Sequence, residues 1–283
     1  KIFENLRHLD PSDDSTLTPL EELYTVVEDW EQLVGVYRAR IEGAEELELK
    51  KHYASLMGNI QAEQQGELDD AIMTWRMILE WDASDVDALE RLDDLYSRQE
   101  DWFNVLDVLK KLQEIAGEDA WVDLQYRMAR LFDDDEKLGD LHQGIEAYRI
   151  LLERQPSHTQ SVDALMVIVG ERDERETAFS VLRPVLRQQE AFEELWAQYQ
   201  IIVTHQEDDP YKEVVTLHEM AKLAETDLAD PDRAFDALSR AFHRDLRNEE
   251  TVAHLERLVA SHSLWEPLVV LYLDGAENAD DDF

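Results

Sequence analysis

Apolar residues recur along this chain at intervals of three and four. One stretch carries them at Ile72, Trp75, Ile78 and Leu79, then at Leu89, Leu92, Leu95 and Tyr96, then at Val105, Leu106, Leu109 and Leu112. That spacing lines up one face of a helix, whereas a strand would alternate every second residue. It predicts helices over about residues 51–64, 67–81, 85–97 and 101–115. Capping residues mark the starts: Ser84 and Asp85 before one helix, Ser157 after Pro156 before another, and Asp230 before Pro231, which suits a first helical turn. Each helix is short and apolar on one side only, so it needs a neighbour to cover that side.

The pattern also repeats. "LEELYTVVEDWEQLV" near the start returns as "LDDLYSRQEDWFNVL", which sets Trp30 and Trp102 72 residues apart. The same shift pairs Asp10 with Asp82, Leu17 with Leu89, Leu20 with Leu92, Leu23-Tyr24 with Leu95-Tyr96, and Phe3 with Trp75. A third copy follows, since "GELDDAIMTWRMIL" matches "GDLHQGIEAYRILL" and aligns Gly66 with Gly139, Ala71 with Gly144 and Trp75 with Tyr148; Arg175 stands where Trp102 stood. In a fourth copy Ala234 and Trp265 keep the 31-residue spacing of Ala71 and Trp102. The modules predicted from this are 1–43, 44–117, 118–189 and 209–278. Between the third and fourth lies a surplus of about 17 residues, one helix in length. "EAFEELWAQYQIIVTH" fills it, so an extra helix is expected over about 190–206. Pro184 is expected to kink or stop the helix before it, and a bend is expected between Pro184 and Pro210.

The run Gly66…Ala71…Trp75…Ile78…Ala83 resembles the second half of a tetratricopeptide repeat, and Gly139…Gly144…Tyr148…Leu151…Pro156 keeps the terminal Pro as well. The resemblance covers most of the chain, which is similar to long bacterial tetratricopeptide-like proteins with a Trp-bearing helix. It implies an all-α, right-handed α-α superhelix of antiparallel helix hairpins, about fifteen helices in all, forming a single solenoid segment over 1–283. The small residues at 71, 144 and 234 would let paired helices approach closely, with the rings at 75 and 148 filling the gap beside them. The resemblance also implies a protein-binding scaffold whose first helices line the binding face. Peptide-binding members clamp a carboxylate with Lys, Arg and Asn. Lys50, Lys51, Asn59, Arg127 and Arg130 do not reproduce that spacing, so the clamp is not carried over.

Composition changes the picture mainly through charge. The 283 residues carry 66 acids against 27 bases, a net charge of −39. A phosphate backbone would be repelled, so nucleic acid is excluded as a direct partner. A solvated surface, adaptation to salt and a Lys/Arg-rich protein or peptide partner all remain open. With no Cys there is no disulfide, thiolate site or Cys nucleophile. This fits a reducing compartment, with the cytoplasm expected and the periplasm as the alternative. No apolar run approaches the roughly 20 residues of a membrane span, and "KIFENLRHLD" has no signal-peptide core. The chain opens without Met and in mid-module, which reads as a segment flanked by further repeats of the same parent chain.

Chemical motifs are scarce. Phosphate-binding, dinucleotide-binding and nucleophile-elbow patterns are missing from the sequence. His218-Glu219 continues as Met220-Ala221-Lys222 rather than as H-E-x-x-H, and His254 and His262 read as lacking an acid at a ligand spacing. "FDDDEKLGD" places Lys137 and Leu138 where a calcium loop needs an oxygen ligand and Gly. The chain is therefore expected not to be an enzyme and to hold no cofactor or metal. Trp30, Trp102 and Trp265 recur, so a shared packing role is expected for them. Trp121 and Trp196 do not recur and read as exposed aromatic anchors; with Arg127 and Arg130 they are the candidate partner-binding residues. The function expected is a non-catalytic protein–protein interaction scaffold taking a peptide or helix of a partner. The alternative is a helical regulatory or assembly arm of a larger multidomain protein whose catalytic part is not in this chain.

Overall fold

A computed structural model of the chain describes residues 14–280. The sequence pairings at Phe3 and Asp10, and the last residues Asp281–Phe283, lie outside the described residues. Within them the chain is all-α, with fifteen α-helices packed as sequential antiparallel pairs. It divides into two compact units at Gly144/Ile145. The first holds α1 (Asp14–Val26), α2 (Trp30–Gly43), α3 (Leu47–Ile60), α4 (Leu68–Trp81), α5 (Val86–Arg98), α6 (Trp102–Ile115) and α7 (Glu118–Asp133). The division falls inside α8 (Leu141–Arg154). The second unit continues with α9 (Thr159–Glu171), α10 (Arg175–Gln188), α11 (Phe192–Thr204), α12 (Pro210–Thr226), α13 (Pro231–Arg244), α14 (Glu249–His262) and α15 (Trp265–Asp280).

The repeated Glu-Asp-Trp is a helix corner. Glu28 and Glu100 sit in the left-handed region at φ 56° and 58°, just past the ends of α1 and α5. The N–H of the following Asp then bonds back to a carbonyl of the helix just ended: Asp29 to Tyr24 and Asp101 to Tyr96, both at 2.9 Å. The same Asp caps the next helix through its side chain, which accepts from the N–H of Gln32 or Asn104 at 3.3 Å. Trp is then the first helical residue. One residue thus closes one helix and opens the next.

The left-handed corner recurs with other residues. Gly66 precedes α4, Gly139 α8, Glu190 α11, Ala229 α13 and Ser263 α15, all at positive φ and all two residues before a helix starts. The joints entering α3, α5, α7, α9, α10, α12 and α14 lack it. Joints with and without the corner therefore alternate, which separates the tight turn within a hairpin from the extended link to the next. The alternation breaks once, where α9, α10 and α11 follow one another; α11 packs on α9, α10 and α12.

Within the hairpins, Ala71 and Ala234 are completely buried, as are Tyr148 and, nearly so, Trp75. The closest approach is at Gly58 of α3, where a Cβ would lie 2.6 Å from the Trp75 indole nitrogen. At Gly144 of α8 a Cβ would meet the backbone of Asp133 at 3.2 Å. These small residues set how near the rings and helix ends can come. The apolar stripe continues through Leu89, Leu92, Leu109, Leu165, Leu182, Leu217 and Leu255, each at most 1% exposed.

Three expectations need correction. His158, not Ser157, caps α9, with its Nδ1 receiving the Ser161 N–H at 3.3 Å. Pro184 does not stop α10, which runs on to Gln188. The recurring Trp residues do not form a common core. At the first position of a helix their rings reach only the margin of the packed layer. Trp30 and Trp102 are half-buried against the core, with the Lys137 ammonium 5.4 Å from the Trp102 ring, whereas Trp265 is 56% exposed.

Two stability measurements check this geometry. Glu100→Gly relieves a left-handed L-residue and is expected to stabilise the chain by about 1 kcal/mol in urea unfolding, while Glu100→Val destabilises it. Gly58→Ala is expected to destabilise by roughly 1–3 kcal/mol, because the added methyl meets a buried ring and this outweighs the helix propensity gained. Unchanged midpoints in both cases would refute the corner and the contact.

Candidate partner-binding grooves

The first helices of successive hairpins run side by side, leaving an open groove between α3 and α5 of about 530 Å³. Its floor is the edge of Trp75, and Asn59 of α3 forms one wall. The other wall presents Asp87, Glu90, Arg91 and Asp94. The three acids lie at i, i+3 and i+7 of α5, so they share one face of the helix, and all three are exposed.

Two basic side chains of these helices, Lys51 and Arg98, are bonded to acids outside the groove. Lys51 sits between Asp82 and Asp85 at 2.9 and 2.6 Å, and this holds the Asp82 carboxyl below its ordinary value. Arg98 bonds Glu63 at 2.8 Å and stands 3.7 Å from Asp94. In the second unit Arg257 reaches Glu225, Lys212 reaches Glu176 and Arg233 reaches Glu193, all at 3.0 Å or less. These hydrogen bonds hold Glu225 and Glu176 below the usual carboxylate range. Such pairs link residues 30 to 40 positions apart, about one hairpin period. Exposed pairs of this kind contribute little to stability. In the α3/α5 groove three acids, Asp87, Glu90 and Asp94, then face a single lining cation, Arg91.

The residues singled out from sequence fall into two groups. Trp121, Arg127 and Arg130 share α7. Trp121 is half-buried in the first turn. Arg127 is exposed and binds both oxygens of Asp93 at 2.8 and 3.0 Å, and Arg130 bonds Asp133 at 2.6 Å. Trp196 lies in the second unit and is not an exposed anchor: only 8% of it is accessible, and the Arg233 guanidinium covers its ring at 5.6 Å. The residues "LWAQYQII" that looked like an isolated helix place Trp196 on the packed side because α11 is enclosed by α9, α10 and α12.

A second groove, of about 670 Å³, lies between α12 and α14 and gathers His218, Glu225, His254, Arg257 and His262. Sequence reading missed this convergence. His218 and His254 are 36 residues apart, one hairpin period, and Glu250 precedes His254 by one helical turn. Their ring centroids stand 5.1 Å apart, edge to face. Burial, and then the charge of His254, lowers the His218 pKa. On the same groove, Glu219 accepts the hydroxyl of Tyr199 at 2.9 Å and also pairs with Arg183.

No protein-family model matches the chain, and none of the curated proteins matches it. Among solved structures it is similar to a tetratricopeptide repeat protein from Parabacteroides merdae ATCC 43184. That match has a TM-score of 0.40 and 14% identity, and covers 86% of this chain and 98% of the other. It is also similar to BtubC (BKLC) from P. vanneervenii, with a TM-score of 0.24 and 11% identity over 93% of this chain and 87% of the other. The description of the fold rests on the helix pairs of the chain itself. Among the described residues no helix is long and apolar enough to cross a membrane.

The Tyr199–Glu219 contact gives a titration test. Burial first, and the Glu219 carboxylate second, push Tyr199 up to about 12; Tyr37, bonded to Glu21, is also raised to about 12. Both folded values lie above the ordinary value of 10.0, so their contribution to stability is complete below pH 10 and is lost as pH rises through about 12. Ultraviolet titration of the folded chain should show a late tyrosinate component that disappears in Tyr37→Phe/Tyr199→Phe. All nine tyrosines ionising together near 10 would contradict it.

Proposed function

We propose that this chain is a non-catalytic interaction scaffold that takes an extended peptide or a helix of a partner protein into the grooves between its first helices. The ligand favoured is rich in Lys and Arg. The observation that supports this most is the α3/α5 groove, where Asp87, Glu90 and Asp94 face one opening beside a single lining cation, Arg91, and the nearby Lys51 is bonded to Asp82 and Asp85. Aliphatic stems of Lys or Arg would lie over the Trp75 edge while their charged heads meet the carboxylates. The net charge of −39 would speed encounter with such a ligand and turn acidic ones away. In this reading the chain is organised as the four modules outlined from sequence, with α11 interposed.

A second reading is an assembly arm of a larger protein. It is favoured by α15, where Trp265, Val269, Val270 and Leu273 are each more than half exposed. Such a face suits another helix rather than water.

Fluorescence anisotropy with a labelled Lys/Arg-rich peptide tests the first reading. Affinity should fall steeply between about 0.1 and 1 M salt, as the screening length shrinks from roughly 10 to 3 Å. The exposed-face variant Asp87→Asn/Glu90→Gln/Asp94→Asn should weaken binding by about tenfold or more at low salt. Affinity indifferent to salt and to these substitutions would refute the acidic groove as the binding surface.

A further inference from the structure

We propose that His218, Glu250 and His254 form a site for a divalent transition-metal ion of the zinc class, joining α12 to α14. The ligand atoms of these three side chains already lie within 4.8 Å of one another. Two imidazoles and a carboxylate are the donor set that zinc and its neighbours prefer, whereas calcium and magnesium take oxygen cages. Glu250 and His254 are one turn apart on α14, so both point to the same side of that helix. His218 meets them from α12, one hairpin earlier. None of the three is spent in an ion pair of the ladder described above. That ladder instead uses Arg257 and Glu225, nearby on the same two helices.

The surroundings favour ligation over protonation. Both histidines are half-buried, and burial lowers the His218 pKa; the neutral imidazole is the form that binds metal. Thr251 is completely buried, and its hydroxyl oxygen lies 2.8 Å from His218 Nε2. A hydroxyl that accepts the Nε2–H leaves a lone pair on Nδ1 and fixes the ring, the role outer-shell partners play around metal-bound histidines. Donors around one zinc ion at about 2.0–2.1 Å stand closer together than these do, so the carboxylate has to swing inward. Glu250 is exposed and has room to do so. Three protein ligands leave a fourth position for water on the side of the 670 Å³ groove. A bound ion would staple two successive hairpins beside the Arg257–Glu225 pair and the apolar stripe that already join them.

The test uses the full chain stripped of metal with a chelator, then titrated with Zn²⁺ and with Co²⁺ in excess Mg²⁺. Calorimetry should show one tight equivalent, Co²⁺ should develop visible ligand-field absorption, and either ion should raise the thermal midpoint. Glu250→Gln, at an exposed position that leaves the packing alone, should weaken binding by about tenfold or more, and His254→Ala by at least as much. His262→Ala, in the same groove but outside the cluster, should bind as the parent does. Absence of a tight equivalent would overturn the proposal. So would binding unaffected by both Glu250→Gln and His254→Ala, or abolished by Mg²⁺, since the acidic surface would then be holding the ion.

Discussion

Helices of 13 to 17 residues, apolar on one face, are marginal in water. Burial of that face against the helices next to it in sequence is the interaction on which this chain depends. Leu89, Leu92, Leu109, Leu165 and Leu217 are sealed by neighbours a few dozen residues away rather than by a distant sheet or a central core. The left-handed corner makes such burial achievable, because it returns one helix along the other, within three residues at Glu28, Glu100 and Glu190. A Glu occupies that conformation at Glu28, Glu100 and Glu190, at a steric cost a Gly would avoid. Packing of the returned helix offsets it.

Charge is layered over that frame in three ways. Some acids cap helices, as Asp29, Asp85, Asp101, Asp209 and Asp230 do. Others pair with cations one hairpin away. Three more, Asp87, Glu90 and Asp94, line the groove of α5, where no packing requirement accounts for three carboxylates on one exposed face. The first two uses stabilise the array; the third carries the functional proposal. The His218–Glu250–His254 cluster of the second unit offers different chemistry.

Much of the fold was legible because helical spacing and the 72-residue echo are properties of the chain itself. Helix bounds over 67–81, 85–97 and 101–115 agree with α4, α5 and α6 to within one residue. The meaning of the echo was less legible. Trp drew attention to Glu-Asp-Trp, yet the residue that matters sterically is the Glu, and no side-chain pattern announces positive φ outside Gly. The site was legible only in part. Arg127 and Arg130 look like free cations in sequence, and only the fold shows Asp93 and Asp133 beside them. Trp196 looks isolated until α11 is seen enclosed. His218 and His254 would have been found by applying the hairpin period to histidine as it was applied to Trp.

The central claim, that each hairpin is held by its immediate neighbours, is tested most directly by residue-resolved amide hydrogen exchange on the whole chain carrying Leu92→Ala. The account predicts that protection falls in α4, α5 and α6 around the new cavity and stays at the parent level in α12 to α15. An equal loss of protection along the entire chain would show a single cooperative core and contradict it.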